Sequence, residues 1–180
     1  MTGMAVSAEE STTPAVPASV MWLPGQALNC YVGDAALRSW LLTPGLLTLR
    51  IREAAGAGFV MNLLREERVA DAHWREIDMG CDGVPWMFAH TRIPAATLAA
   101  QPWLGSIGRR TLGEALAGRA ALEREDFRYA QCYPDTWLAG RALAHAGLPA
   151  QPLWIRHSAF RTAGAPFDLY EVFLPAIGRR

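Results

Sequence analysis

Two side chains of this 180-residue chain fall where charge is costly, and between them they could handle a small organic acid. In "HWREIDMG" (73–80), a period of two sets His73, Arg75, Ile77 and Met79 on one face of a strand, with Trp74, Glu76 and Asp78 on the other. In "FDLYEVFLP" (167–175), the same period groups Glu171 with Phe167, Leu169 and Phe173, opposite Asp168, Tyr170, Val172 and Leu174. Arg75 and Glu171 thus share apolar, inward faces, and an uncompensated charge there costs several kcal/mol. Each needs a partner. Periodicity alone favours their pairing with each other inside the sheet, or one of them reaching water at a strand end. The other reading is a bound ligand: arginine grips a carboxylate through parallel N–H donors, and a desolvated glutamate can exchange a proton or hold a hydroxyl near neutral pH.

The remaining candidates carry less chemistry. His73, His90, His145 and His157 have no metal-ligand spacing with Asp, Glu or Cys, so no metal site is expected. "AGAG" (55–58) and "GSIG" (105–108) lack the strand, glycine pattern and helix of a phosphate loop and read as turns. Ser158 has no nucleophile-elbow motif and Cys81 sits in a turn without an adjacent base, so covalent catalysis has no support. The seven tryptophans read mostly as core, although Trp74, Trp86 and Trp103 could help line a pocket that accepts an aromatic ring.

The elements that must position these groups follow from patterning. Asp34 can cap a helix over "AALRSWLL" (35–42), stopped by "TPG" (43–45). Alternation of Leu47, Leu49 and Ile51 against Thr48, Arg50 and Arg52 predicts a half-buried strand over 46–53, a turn over 54–58 and a returning strand, "FVMNLLREERV" (59–69). Residues 73–94 form a hairpin about Asp82-Gly83, a pair that tolerates left-handed backbone. Helices are expected over 110–126 and 135–147, the second ended by Gly147 and Pro149, and a last hairpin over 153–175. Strands at both ends with helices between them, and no βαβ alternation, predict a single α+β domain built on an antiparallel sheet.

Composition narrows the partners. The chain is 51% hydrophobic and 19% charged, with zero net charge and seventeen basic residues that are all arginine. The lack of basic excess argues against nucleic acid. An odd count of three cysteines without paired spacing fits a reducing cytoplasm, and no run of about 18 apolar residues is present to insert into a membrane. Residues 1–20 read as a disordered leader and 21–180 as the domain, expected to be a monomer.

The segments "WREIDMGCDGVPWMFAHTRIP", "LGSIGRRTLGEAL", "LWIRHSAF" and "YEVFLPAIG", in that order, resemble the chorismate pyruvate-lyases that form 4-hydroxybenzoate for ubiquinone. The resemblance runs from about Leu37 to Ile177. It implies a six-stranded antiparallel sheet with helices on one side and flaps over an internal pocket, with chorismate as substrate and no cofactor. On that resemblance Arg75 holds the ring carboxylate, aided by the backbone of Leu112 in "TLG"; Glu171 takes the hydroxyl end, and Leu47 is an apolar pocket residue. The chain departs from the family at His90 and at His157 in Arg156-His157, which implies two fewer fixed positive charges near the pocket mouth. The segment from about 131 to 151 also looks longer than in compact members of the family, which could alter a flap, the rate of product release or the oligomeric state. Two other readings stay open: a ligand-sensing module of the same architecture, which normally follows a DNA-binding winged helix, and a structural protein with a buried ion pair.

Overall fold

A computed structural model describes residues 16–45, 47–116 and 122–179. In chain order the elements are β1 (Leu23–Pro24), α1 (Leu28–Tyr31), α2 (Ala35–Leu41), α3 (Leu47–Ala55), β2 (Phe59–Val69), β3 (Ala72–Cys81), β4 (Val84–Pro94), α4 (Ala95–Ala100), α5 (Leu112–Leu116), β5 (Leu122–Arg124), β6 (Arg128–Cys132), α6 (Trp137–Ala146), β7 (Leu153–Thr162) and β8 (Ala165–Phe173). All strands join one antiparallel sheet in the order β1-β6-β7-β8-β4-β3-β2, with β5 paired to β7 as well. The α+β class therefore holds, but among the described residues the sheet has eight strands rather than six. β1 and β5 are too short to show alternation, and the pairing of β6 to β7 is what makes a strand of "RYAQC".

The local chemistry of most elements is as the sequence predicts. Asp34 Oδ1 accepts from the N–H groups of Ala36 (2.8 Å) and Leu37 (3.0 Å), satisfying two donors that the first turn of α2 would leave orphaned. Asp82 and Gly83, with φ of 49° and 79°, supply the left-handed pair that closes the β3–β4 hairpin. Gly147 adopts the left-handed conformation just past α6.

Three expectations fail. Residues 47–55 form helix α3, not a strand: Leu47 and Ile51, four apart, are buried, while Leu49 is 62% exposed. The same residues satisfy both periods on paper, and a run rich in Leu, Arg, Glu and Ala favours the helix. The helix expected over 110–126 shrinks to α5, and 122–124 is strand β5; 117–121 lie outside the described residues. Finally, helices cover both faces of the sheet. α2 and α3 pack on one face through Trp40, Leu41, Leu47 and Ile51, while α6 packs on the other through Leu138, Ala139, Ala142 and Leu143 against Phe88, Ile155 and Val172. Within the 131–151 segment, α6 thus buttresses the sheet on the face opposite α2 and α3. Of the leader expected over 1–20, residues 1–15 lie outside the described residues, and Val16 and Val20 pack beside the α6 cluster.

Candidate active site

The face under α2, α3 and α5 holds a cavity that opens partly to solvent and is floored by β3, β4, β8 and β7. Period two decides what reaches it. β3 sends in Arg75, Ile77 and Met79, and β8 sends in Leu169 and Glu171. α3 places Leu47 over the cavity, and the start of α5 places Leu112 and Gly113 there. All four residues expected at the site, Arg75, Glu171, Leu112 and Leu47, therefore line one cavity, Leu47 from a helix instead of a strand. Trp74, Trp86 and Trp103 do not line it. Trp74 faces the far side of the sheet and Trp86 packs against Trp40 in the core.

Arg75 and Glu171 do not pair with each other. Register puts Arg75 opposite Thr91 and Thr91 opposite Leu169, while Glu171 is two residues further along β8, opposite Ala89. Two strand spacings and two residues of rise separate their Cα atoms by about 12 Å, so the two charges sit at different ends of the floor. Each has its own partner.

Arg75, 1% exposed, donates from Nη2 to the carbonyls of Gly108 (3.0 Å) and Arg110 (2.6 Å), and its Nε lies 3.5 Å from Glu66 Oε1 across the β2–β3 pair. Glu66 in turn accepts from the Gly108 N–H at 3.1 and 3.2 Å. Gly108 holds a φ of 61°, the left-handed region that lets one residue offer its N–H to Glu66 and its carbonyl to Arg75. Burial lowers the Arg75 pKa from its ordinary value and Glu66 opposes that shift, yet so strong a base stays charged.

Glu171 is held by Arg156, a residue that the sequence reading passed over. Arg156 Nε donates to Glu171 Oε2 at 2.7 Å, and its Nη1 donates to the carbonyls of Thr43 (2.8 Å) and Leu41 (3.4 Å) at the C-terminal end of α2. The guanidinium also lies 4.2 Å from the centre of the Phe127 ring. A signal was available: alternation in "LWIRHSAF" puts Trp154, Arg156, Ser158 and Phe160 on one face, and the hairpin register sets Arg156 opposite Glu171.

Thr111 and Glu114 cap the start of α5 reciprocally: the Thr111 N–H donates to Glu114 Oε2 (2.8 Å) and the Glu114 N–H to Thr111 Oγ1 (3.2 Å). Glu114 also meets Arg52 of α3 at 3.0 Å, which links the two segments over the cavity through an exposed pair of small energetic weight. The first-turn N–H groups of a helix lack intrahelical acceptors, so this end of the cavity offers donors beside Arg75.

His90 and His157 lie on the opposite face, which corrects their placement near the pocket mouth. His90 is buried between Trp74 and Trp137, with ring centroids 5.1 and 5.2 Å away, beside Glu76. His157 stacks on Tyr170 at 4.7 Å and bonds Asp168 at 2.9 Å. Burial raises the Glu76 carboxyl pKa, but the nearby His90 ring (Nδ1 at 3.5 Å) and the bonds from Arg141 Nε and Nη2 (2.5–2.8 Å) outweigh it and bring it down to about 2. Burial lowers the His90 pKa, against the pull of Glu76.

The arrangement can hold a flat, anionic ring: a cation and backbone donors at one end, an acceptor at the other, and apolar walls from Ile77, Met79, Met87 and Ala89 between them. Comparison with known proteins points the same way. Residues 16–180 match the family model described as chorismate lyase. The chain is 38% identical over 162 residues to a probable chorismate pyruvate-lyase of Dechloromonas aromatica, covering 80% of this chain and 89% of that one. It is 33% identical over 183 residues to a chorismate pyruvate-lyase of Erwinia tasmaniensis, covering 93% and 92%. Among solved structures, a GntR-family transcriptional regulator from Bacillus cereus shares the fold at 15% identity and a TM-score of 0.50, over 67% of this chain and 94% of that one. Among the described residues no helix is long and apolar enough to cross a membrane.

Proposed function

The chain belongs to the chorismate lyase family, and we propose that it is a chorismate pyruvate-lyase that works in the cavity between Arg75 and Glu171. The observation that carries this reading is the separation of the two buried charges along one apolar floor, each already anchored by its own partners. Chorismate carries a carboxylate at one end of its ring and a hydroxyl at the other, beside the carbon bearing the enolpyruvyl ether. Arg75 and the first turn of α5 at Leu112 take the ring carboxylate. Glu171, oriented by Arg156, accepts the hydrogen bond of the ring hydroxyl. Leu47 closes over the ring from α3.

In the reaction the ether C–O bond breaks and its electron pair leaves with enolpyruvate. The hydroxyl-bearing carbon loses its proton, and the pair from that C–H bond completes the aromatic ring of 4-hydroxybenzoate. Enolpyruvate gains a proton and ketonises to pyruvate, so atoms and charge balance without a redox partner. Aromatisation supplies the driving force, and the protein contributes orientation and electrostatic stabilisation. The carbon that loses its proton also bears the hydroxyl held by Glu171, so that carboxylate lies next to the proton in transit. The product is the ring precursor of ubiquinone, which makes this reaction its first committed step. Incubating the purified protein with chorismate, with chromatography for 4-hydroxybenzoate and a coupled assay for pyruvate, tests the reading. Equal release of the two products well above the spontaneous rate is expected, and release at the spontaneous rate would overturn it.

A further inference from the structure

One polar group on the cavity floor is left unused. Ser158 is 1% exposed, lines the cavity from β7, and its Oγ has no hydrogen-bond partner among the described residues. An orphaned hydroxyl is costly to bury, so its persistence on a ligand-facing strand calls for a partner that arrives with the ligand. The sheet explains why none is nearby. β5 pairs with β7 as far as Arg124 opposite Phe160, the Glu125 N–H still donates to the Ala159 carbonyl (3.0 Å), and β6 resumes at Arg128 opposite His157, so the ladder is interrupted at 126–127, beside Ser158. On its other side Ser158 faces Leu169, which offers no polar side-chain atom.

The two sides of the cavity also differ in chemistry. On the β3–β4 side the wall beyond Arg75 and Thr91 is Ile77, Met79, Met87 and Ala89; on the β7–β5 side Phe127 and Phe160 line it together with the polar Arg156, Ser158 and Arg124. Arg156 is committed to Glu171 and to two carbonyls. Arg124 is exposed, reaches the Pro44 carbonyl at 3.2 Å and lies over Phe127, beside the exposed Gly45 where the cavity meets solvent. With the ring spanning Arg75 and Glu171, a charged substituent next to the hydroxyl has an apolar wall on one side and a hydroxyl with a cation on the other.

We propose that Ser158 and Arg124 form the subsite for the enolpyruvyl carboxylate of the substrate, with Ser158 Oγ–H donating to a carboxylate oxygen inside and the Arg124 guanidinium facing it at the mouth. The assignment rests on the chorismate reading above and adds the group that separates substrate from product. 4-Hydroxybenzoate lacks that carboxylate and leaves the subsite empty, so Ser158 distinguishes the two ligands.

Ser158→Ala tests this, because it deletes the orphaned oxygen and little volume. Three quantities are compared with wild type: kcat/KM for chorismate, Kd for 4-hydroxybenzoate and the melting temperature. Loss of one hydrogen bond to a charged group predicts a fall in kcat/KM of about 10- to 100-fold, with the 4-hydroxybenzoate Kd unchanged within about twofold and the melting temperature equal or higher. An active wild type with an equally active variant would overturn this inference alone. So would a variant that loses product affinity in parallel, or one that melts lower, since the hydroxyl would then serve the ring site or the fold. A wild type that does not turn chorismate over would overturn the functional reading and this subsite together.

Discussion

Replacing Arg156 by methionine should expose how strongly Glu171 depends on it. The two side chains are 1% and 7% exposed, so water screens their pair little. Arg156→Met leaves a buried carboxylate without its cation, at a cost of about 3–5 kcal/mol, and it strips a donor from the Leu41 and Thr43 carbonyls. Glu171→Gln alone costs less, about 1–2 kcal/mol, because an amide oxygen can still accept from Arg156 Nε. In the double variant neither charge of the pair remains, and the unpaired carbonyls leave a cost of about 2 kcal/mol. The singles should therefore overshoot the double by about 2 kcal/mol or more. In urea, with a slope of about 2 kcal/mol/M for a chain of this size, Arg156→Met moves the midpoint down by about 2 M and the double variant by about 1 M. Costs that add to within about 0.5 kcal/mol would refute the claim that the pair acts as a unit.

Other expectations concern the remaining charges. Glu76 has a pKa depressed to about 2 by His90 and Arg141 against burial, compared with 4.5 unfolded, so its stabilisation is full above pH 4.5 and lost as pH falls towards 2. The shift corresponds to about 3 kcal/mol, and Glu76→Gln should flatten urea midpoints across that window; an unchanged slope would place the acid sensitivity elsewhere. Arg75→Ala should weaken 4-hydroxybenzoate binding by at least about 100-fold, as loss of a charge-assisted contact requires, and calorimetry giving a near wild-type Kd would remove Arg75 from the ligand. Gly108→Ala imposes a left-handed φ on a side-chain-bearing residue at about 1 kcal/mol, and should lower the melting temperature while raising the ligand Kd through the displaced Arg75 carbonyl partner.

Much of the site was legible because strands announce their faces. Arg75 and Glu171 stood out as charges on apolar faces, and both line the cavity floor. Their partners were hidden because pairing is set by register between strands: Arg156 meets Glu171 only through the β7–β8 ladder, and Glu66 meets Arg75 only through β2–β3. The placement of His90 and His157 near the pocket mouth came from the family resemblance, whereas their odd-even offset from Ala89 and Arg156 sends them across the sheet. α3 misled for another reason. Leu47, Leu49 and Ile51 fit a period of two, and the helix shows itself only in which of them is buried. Short edge strands such as β1 and β5 carry no pattern of their own and exist through their neighbours.

The central claim is that an aromatic acid spans the floor with its carboxylate at Arg75 and its hydroxyl at Glu171. A crystal structure of the protein with 4-hydroxybenzoate measures this directly. The account predicts density in the cavity with the carboxylate on the Arg75 guanidinium and Leu112 backbone and the phenol oxygen on Glu171. A ring bound in reverse, or seated on the α6 face of the sheet, would contradict it.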